Sequence, residues 1–392
     1  MRQFVRLYAL AALLVACGEA TVQPAALHPL PVLAPEVQGP FGVGVITREL
    51  PAVDKPGAQP FMVDVWYPAD LTLARQSGAA GRTPYSGLYG MQVRDLPPLR
   101  GYQPFPVAVF SHGLGAIRDQ NAFQVQQLVT RGYVVISADH HPSTILDVAA
   151  SDKLEDAIVS ALYRPLEVLA QIDALERWSA DDQDILHGLV DASRVLMLGH
   201  SYGGYTALSV SGAHADIDVM VRACDADPDG LGDTFQCRLA RRYEGDDRVF
   251  EYHDPRIAAV MPMTPGATPL FREGGLASID VPVFVWAGAN DETAEPELYQ
   301  DWLYPELPKS RFYLKIPGAG HLDFSQICRV NLPIECNMDG PLSTIRTLEL
   351  INEVTMAYAD WTVRGIESAR ETLEPEALLA RWPMLEYQAE FR

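Results

Sequence analysis

One short run of residues has the types and the spacing of a catalytic nucleophile. Residues 199–203 read Gly-His-Ser-Tyr-Gly and directly follow the apolar run 195–198, which predicts a strand. The residues after them can form a helix, so Ser201 is expected at a sharp strand-to-helix turn with its hydroxyl exposed. Gly199 and Gly203 leave room for such a turn. We predict that Ser201 is a nucleophile; the alternative is a plain turn between a strand and a helix.

A serine hydroxyl needs a histidine to take its proton. In chains with this strand-turn-helix motif the order is serine, acid, histidine, so the base should follow residue 201. His214 comes too early for an acid-bearing strand to intervene, and His253 lies in a charged stretch typical of a surface. His321 follows the strand-like run 311–316 and a glycine-rich turn. We predict that His321 is the base.

The acid should come from the strand between the serine and the histidine. Residues 281–286 are apolar and end in a turn that contains Asp291, 90 residues after Ser201 and 30 before His321. Asp291 would orient the histidine and stabilise its charged form. The alternative is an aspartate that only caps a turn.

The oxyanion that forms during acyl transfer needs two backbone N–H donors. One should belong to Tyr202, which follows the nucleophile, and the other to the loop after an earlier strand. The run 106–110 predicts that strand, and Leu114 in the glycine-rich loop after it is the expected second donor. His112 in the same loop is predicted to brace the loop rather than to react.

Three motifs together resemble a known family. Residues 110–116 (Phe-Ser-His-Gly-Leu-Gly-Ala), 199–204 and 64–68 (Asp-Val-Trp-Tyr-Pro) are similar to the platelet-activating-factor acetylhydrolase and predicted dienelactone hydrolase group of α/β-hydrolases. The resemblance covers about residues 40–365. It implies an α/β-hydrolase fold with a mostly parallel sheet flanked by helices, and a carboxylic ester hydrolase, with 1-alkyl-2-acetylglycerophosphocholine esterase activity as one candidate.

The chain departs from that group in the position of its acid. The plasma-type acetylhydrolases take their acid from the turn after the sixth strand, and residues 263–266 at that point contain no carboxylate. More distant bacterial polyester hydrolases place it one strand later, which matches Asp291. Dienelactone hydrolases proper use a cysteine nucleophile, whereas residue 201 is serine.

The first residues have the pattern of an export signal. Arg2 and Arg6 precede a short apolar run that ends at Cys17, so we predict a signal peptide over residues 1–16. The residues around Cys17 resemble a bacterial lipobox, which implies a lipidated cysteine and an outer-membrane, cell-surface or periplasmic location; the alternative is an ordinary cleaved signal. Residues 17–38 are predicted to be a Pro/Ala-rich tether.

Four further cysteines fit an oxidising compartment. Pairing of neighbours predicts Cys224–Cys237 and Cys328–Cys336 disulfides, although two other pairings are formally possible. Residues 225–236 partly match a calcium loop, but the glutamate expected at its end is Gln236, so a disulfide-closed acidic loop is the favoured interpretation. No metal and no cofactor is expected.

Composition narrows the partners. The chain has 392 residues, 48% of them hydrophobic, and a net charge of −21; loss of residues 1–16 removes two arginines and no acid, which gives −23. Such a charge argues against nucleic acid and against electrostatic docking on anionic lipid, so a lipid anchor would be the only membrane attachment. The oligomeric state is not determined by the sequence.

These patterns predict one catalytic domain over residues 39–392, with a charged insertion at 213–256 that gives no sustained amphipathic helix. The predicted function is a serine carboxylester hydrolase that acts on short-acyl or soluble small-molecule esters. One alternative is an extracellular polyester or cutin-type hydrolase. An alternative of another class is an inactive α/β-hydrolase used as a binding module.

Overall fold

A computed structural model describes residues 26–76, 92–150, 154–226, 234–245, 249–329, 336 and 342–392. The strands are β1 Gly42–Leu50, β2 Phe61–Ala69, β3 Gln92–Arg94, β4 Phe105–Ser111, β5 Val134–Ala138, β6 Val190–His200, β7 Ser211–Asp216, β8 Val249–His253, β9 Ile257–Met263, β10 Val283–Gly288, β11 Arg311–Ile316 and β12 Glu386–Glu390. The α-helices are α1 Leu71–Gln76, α2 Ala122–Thr130, α3 Ile145–Ala149, α4 Leu154–Val159, α5 Arg164–Ala180, α6 Tyr202–Val210, α7 Ile217–Ala226, α8 Phe235–Arg242, α9 Pro296–Tyr299, α10 Leu303–Glu306, α11 Thr344–Thr362, α12 Glu367–Arg370 and α13 Pro375–Arg381.

A ten-stranded sheet forms the centre of the fold, in the order β12-β11-β10-β9-β6-β4-β5-β2-β1-β3. The strands from β11 to β5 run parallel to one another, whereas β2 is antiparallel to β5 and β12 is antiparallel to β11. Parallel strands need crossover connections, and the helices that supply them cover both faces of the sheet. The predicted α/β-hydrolase fold is confirmed.

Alternate side chains of the central strands pack into two separate hydrophobic cores, one on each face of the sheet. In β6, Val195 and Met197 belong to one buried cluster and Leu196 and Leu198 to the other. Helices α5 and α6 pack in the first cluster, and α2 and α11 pack in the second. Because both faces are covered, the strands read as continuous apolar runs, which explains why they were recognisable in the sequence.

The predicted insertion is a folded unit. Strands β7 and β8 pair in a small antiparallel sheet, and α7 and α8 between them are joined by the Cys224–Cys237 disulfide. Each helix buries one apolar side, which includes Ile217, Met220 and Leu239. The expectation of no sustained amphipathic helix is therefore wrong: charged residues dominate the composition, but the few apolar ones fall on one side of two short helices. Within the loop 225–236 that was compared with a calcium site, residues 227–233 lie outside the described residues.

The second predicted disulfide, Cys328–Cys336, is also present. Two disulfide bonds indicate an exported protein, because cytosolic reductants keep thiols reduced. In the part of the chain that the structure describes, no helix has the length and apolar character needed to cross a bilayer. The signal peptide and Cys17 lie outside the described residues and remain predictions.

Part of the predicted tether lies against the domain. The side chain of Arg131, which is 1% exposed, donates hydrogen bonds to the carbonyls of Leu33, Ala34 and Val37 at 2.7–2.8 Å. Arg131 also pairs with Asp360 of α11 at 3.0 Å. The extended segment is thus attached through a buried arginine that pairs with Asp360, a carboxylate that Arg364 also contacts at 2.8 Å.

We expect Asp360→Asn to lower the free energy of unfolding by about 3–5 kcal/mol, because it removes one partner of a buried ion pair. Glu349→Gln, in the same helix, removes an exposed pair with Arg346 and should cost at most about 1 kcal/mol. Urea denaturation of both variants tests the difference. Equal losses would contradict the role assigned to Asp360.

Candidate active site

Ser201 lies at the turn between β6 and α6 with a strained backbone. Its φ and ψ are 56° and −117°, values that a residue with a side chain rarely adopts. The turn is fixed from both sides, because the Ser201 amide donates to the Met263 carbonyl at 2.9 Å and the Ser201 carbonyl accepts from Gly266 at 3.1 Å. The hydroxyl therefore has a defined position at the carboxyl edge of the sheet.

The two glycines of the motif are required by close backbone contacts. A Cβ atom on Gly199 would lie 2.0 Å from the Gly203 carbonyl oxygen, and a Cβ on Gly203 would lie 1.8 Å from the Ser111 carbonyl oxygen. No side chain fits at either distance. The turn that exposes Ser201 thus depends on glycine at both positions.

His321 and Asp291 form a buried pair beside this turn. The His321 Nδ1 atom lies 2.7 Å from Asp291 Oδ2, and the two residues are 5% and 3% exposed. The second carboxylate oxygen, Oδ1, accepts the amides of Thr293 and Ala294 at 2.9 and 2.7 Å, which fixes the carboxylate in its turn. Because a carboxylate accepts, Nδ1 carries the ring proton, and Nε2 is left as the basic nitrogen.

The structure brings Ser201, His321 and Leu114 to the same two clefts, and Tyr202 lines one of them. The main-chain amides of Leu114 and Tyr202 have no hydrogen-bond partner among the described residues. The preceding amide, Gly113, is occupied by Gln120 Oε1 at 2.8 Å, which leaves the Leu114 amide as the next donor along the loop. Tyr202 begins α6, where the helix dipole also favours negative charge.

His200, directly before Ser201, connects the loops around the site. Its Nδ1 lies 2.7 Å from Gln120 Nε2, and its Nε2 lies 2.9 Å from the His321 carbonyl oxygen. The Gly113 amide can only donate and the His321 carbonyl can only accept, so these two ends fix the orientation of the Gln120 amide and the tautomer of His200. One chain of hydrogen bonds thus links the oxyanion loop to the loop of the base.

Burial, together with the nearby His321 ring, lowers the pKa of His200 to about 3. The imidazole is therefore neutral over the whole physiological range. A neutral ring keeps one donor and one acceptor, as this hydrogen-bond chain requires. A charged His200 would also repel the charged form of His321, which is 4.8 Å away between ring centroids.

A second buried network holds the base of the oxyanion loop. Ser111 Oγ donates to His140 Nε2 at 2.9 Å, and His140 Nδ1 donates to Glu167 at 2.7 Å. Lys55 balances the Glu167 charge at 2.5 Å. Ser111, His140 and Glu167 are fully buried, so this hydroxyl–imidazole–carboxylate arrangement cannot contact a substrate. Burial, followed by the Arg164 and Lys55 charges, holds the pKa of His140 well below its ordinary value.

His112 has the bracing position expected from the sequence. Its Nδ1 donates to the Gly113 carbonyl at 2.6 Å, and its Nε2 accepts the His140 amide at 3.0 Å. Two other aspartates near candidate histidines are engaged elsewhere: Asp254 pairs with Arg256, and Asp323 accepts the Gly320 amide and the Thr344 hydroxyl. No cluster of metal-ligating side chains occurs within the described ranges.

Several residues of the site were not foreseen from the sequence. Phe235 of α8 packs against Tyr202 at 5.3 Å between ring centroids and lines one cleft, while Gln120 and Ile145 line the other. Gly266, in the turn without a carboxylate, lies so close that its Cβ would be 3.7 Å from Ser201 Oγ. No local sequence signal marks these residues, because they reach the site only through the packing of distant segments.

Comparison with known families gives one partial match. The family model described as "Platelet-activating factor acetylhydrolase, isoform II" matches residues 85–161. This range covers β4, the oxyanion loop, α2 and β5 and ends before Ser201. The match supports a carboxylic ester hydrolase in general terms. No curated protein matches the chain.

We expect the His200 ring to stay neutral, with its proton on Nε2, from about pH 4.5 to 8, because its pKa is about 3. Nitrogen-15 NMR of histidine-labelled protein reads the tautomer, and the spectrum of a His200→Asn variant assigns the signal. In the unfolded chain His200 is protonated below its ordinary pKa of about 6.5, whereas in the folded chain it stays neutral down to a pKa of about 3. His200 therefore lowers the free energy of unfolding as the pH falls below about 6.5. A His200 signal that titrates between pH 5 and 7 would overturn the assignment.

Proposed function

We propose that the protein is a serine carboxylester hydrolase that acts on short-acyl or soluble esters. The observation that carries the proposal is the buried His321–Asp291 pair, at 2.7 Å, beside the strained turn of Ser201. The free amides of Leu114 and Tyr202, which line one cleft together with Ser201 and His321, are the two donors that acyl transfer needs.

In the proposed mechanism, Ser201 Oγ attacks the ester carbonyl while His321 Nε2 takes the hydroxyl proton. The carbonyl oxygen becomes an oxyanion that accepts the amides of Leu114 and Tyr202. The tetrahedral intermediate collapses, the C–O bond to the alcohol breaks, and His321 returns the proton to the leaving alcohol. Water, activated by the same histidine, then releases the carboxylic acid from Ser201. Asp291 holds the tautomer and stabilises the charged imidazole throughout.

Ser201→Ala should abolish ester turnover, and Asp291→Asn should lower kcat by about 10⁴-fold, because asparagine favours the wrong histidine tautomer. Glu292→Gln is the matched control, since Glu292 is exposed next to Asp291 and lines neither cleft. Kinetics on a chromogenic acetate ester, with thermal unfolding as a check on folding, test all three variants.

Labelling by a fluorophosphonate separates an enzyme from a binding module. A wild-type chain that neither reacts at Ser201 nor hydrolyses any ester would be an inactive member of the fold. Near-normal turnover by Asp291→Asn would instead remove only the acid assignment.

We further propose that the chain is exported as a lipoprotein that begins at Cys17. This explains a cysteine placed directly after the apolar signal and agrees with the two disulfides. Cys17→Ser should prevent lipidation and move the protein from the membrane fraction to the soluble fraction of its host. Mass spectrometry that finds unmodified Cys17 in culture fluid free of membranes would contradict the proposal.

A further inference from the structure

Two clefts of different character meet at Ser201. They share Leu114, Ser201, His321 and Leu322. One has a volume of about 300 Å³ and the other about 580 Å³. An ester bound with its carbonyl carbon at Ser201 extends in two directions, with the acyl chain on one side and the alcohol on the other. Each of these two arms has one cleft available.

The smaller cleft has mostly hydrophobic walls and is called the apolar cleft here. Its apolar side chains come from three separate segments: Leu114 and Ile117 from the oxyanion loop, Ile145 from α3, and Leu322 and Ile327 from the region after His321. Ile327 directly precedes the Cys328–Cys336 disulfide, which constrains that part of the wall. The apolar cleft therefore suits a hydrocarbon chain.

The larger cleft has more polar surroundings and opens towards solvent. It is bounded by Tyr202, Phe235 and Tyr299 and by the exposed residue Thr293. The alcohol has to leave this site before water can attack the acyl-enzyme. The larger cleft has the greater volume and an exposed polar residue at its edge, so it suits that departing group and leaves the apolar cleft for the acyl chain.

Ile145 forms the outer wall of the apolar cleft and is held in place there. Its amide donates to the Ala116 carbonyl at 3.0 Å, which ties α3 to the oxyanion loop. The helix begins with a capping box in which the Thr144 hydroxyl and the Asp147 carboxylate accept each other's backbone amides. The side chain of Ile145 is nevertheless 52% exposed. A fixed but half-exposed isoleucine at a cleft wall gains burial when a hydrocarbon chain fills the cleft.

We propose that the apolar cleft binds the acyl chain of the ester and that Ile145 determines how much of that chain is buried. This inference rests on the proposed function and adds to it which arm of the substrate each cleft receives. A buried methylene is worth roughly a fourfold gain in kcat/KM. Wild-type kcat/KM should therefore rise from acetyl to butyryl esters of one alcohol.

Ile145→Trp should fill the apolar cleft and lower the butyryl-to-acetyl ratio of kcat/KM by about tenfold. Ile145→Thr keeps the branched shape but introduces a hydroxyl, and it should lower the same ratio by a smaller factor. Leu146→Trp is the matched control, because Leu146 is the next residue, is 80% exposed and does not line the cleft. The control should leave the ratio unchanged.

The experiment uses two ester series on the full-length protein. One series varies the acyl chain with a constant alcohol, and the other varies the alcohol with a constant acetate. A change confined to the acyl series in the Ile145 variants supports the inference. An unchanged butyryl-to-acetyl ratio of kcat/KM in the Ile145 variants, or a change confined to the alcohol series, would overturn the inference. The proposed function would stand in that case, because the protein would still hydrolyse acetate esters. A wild-type protein that hydrolyses no ester would overturn both.

Discussion

The close backbone packing around Ser201 is the constraint on which the rest of the site depends. The residues before and after the serine approach neighbouring carbonyl oxygens so closely that neither Gly199 nor Gly203 can carry a Cβ. This packing forces the serine into a backbone conformation that costs on the order of 1–3 kcal/mol, and the surrounding fold has to supply that energy. The central parallel sheet does so by holding β6 between β4 and β9.

The site also depends on groups that take no part in the proposed chemistry. His200 links the two loops that provide the oxyanion donor and the base, through Gln120 on one side and the His321 carbonyl on the other. Below it, the network of Ser111, His140 and Glu167 holds the ends of β4 and β5. In both networks burial keeps the histidines neutral, so each ring has one donor and one acceptor and a single arrangement of hydrogen bonds. Rigid loops are what catalysis by fixed donors requires.

The sequence predicted the parts of the molecule that have local signals. Continuous apolar runs marked the central strands, and chain order was enough to select His321 and Asp291, which the structure brings into contact. It did not predict Ile145 or Phe235 at the clefts, because their positions depend on how α3 and α8 pack against the sheet. Glu167 and Lys55 would be assigned to the surface by type alone, since charged residues are rarely buried unless they are paired. Their pairing spans 112 residues and becomes visible only in three dimensions.

The N-terminal segment is attached to the domain on the side opposite Ser201. His28 bonds to Gly101 and Gln103, just before β4 begins, and Arg131 holds residues 33–37 just before β5 begins. The segment thus lies at the amino edge of the parallel strands, whereas Ser201 lies at their carboxyl edge, separated by strands roughly 20 Å long. If Cys17 carries a lipid, as proposed, the anchored end of the chain would reach the domain at its amino edge, on the side opposite the two clefts.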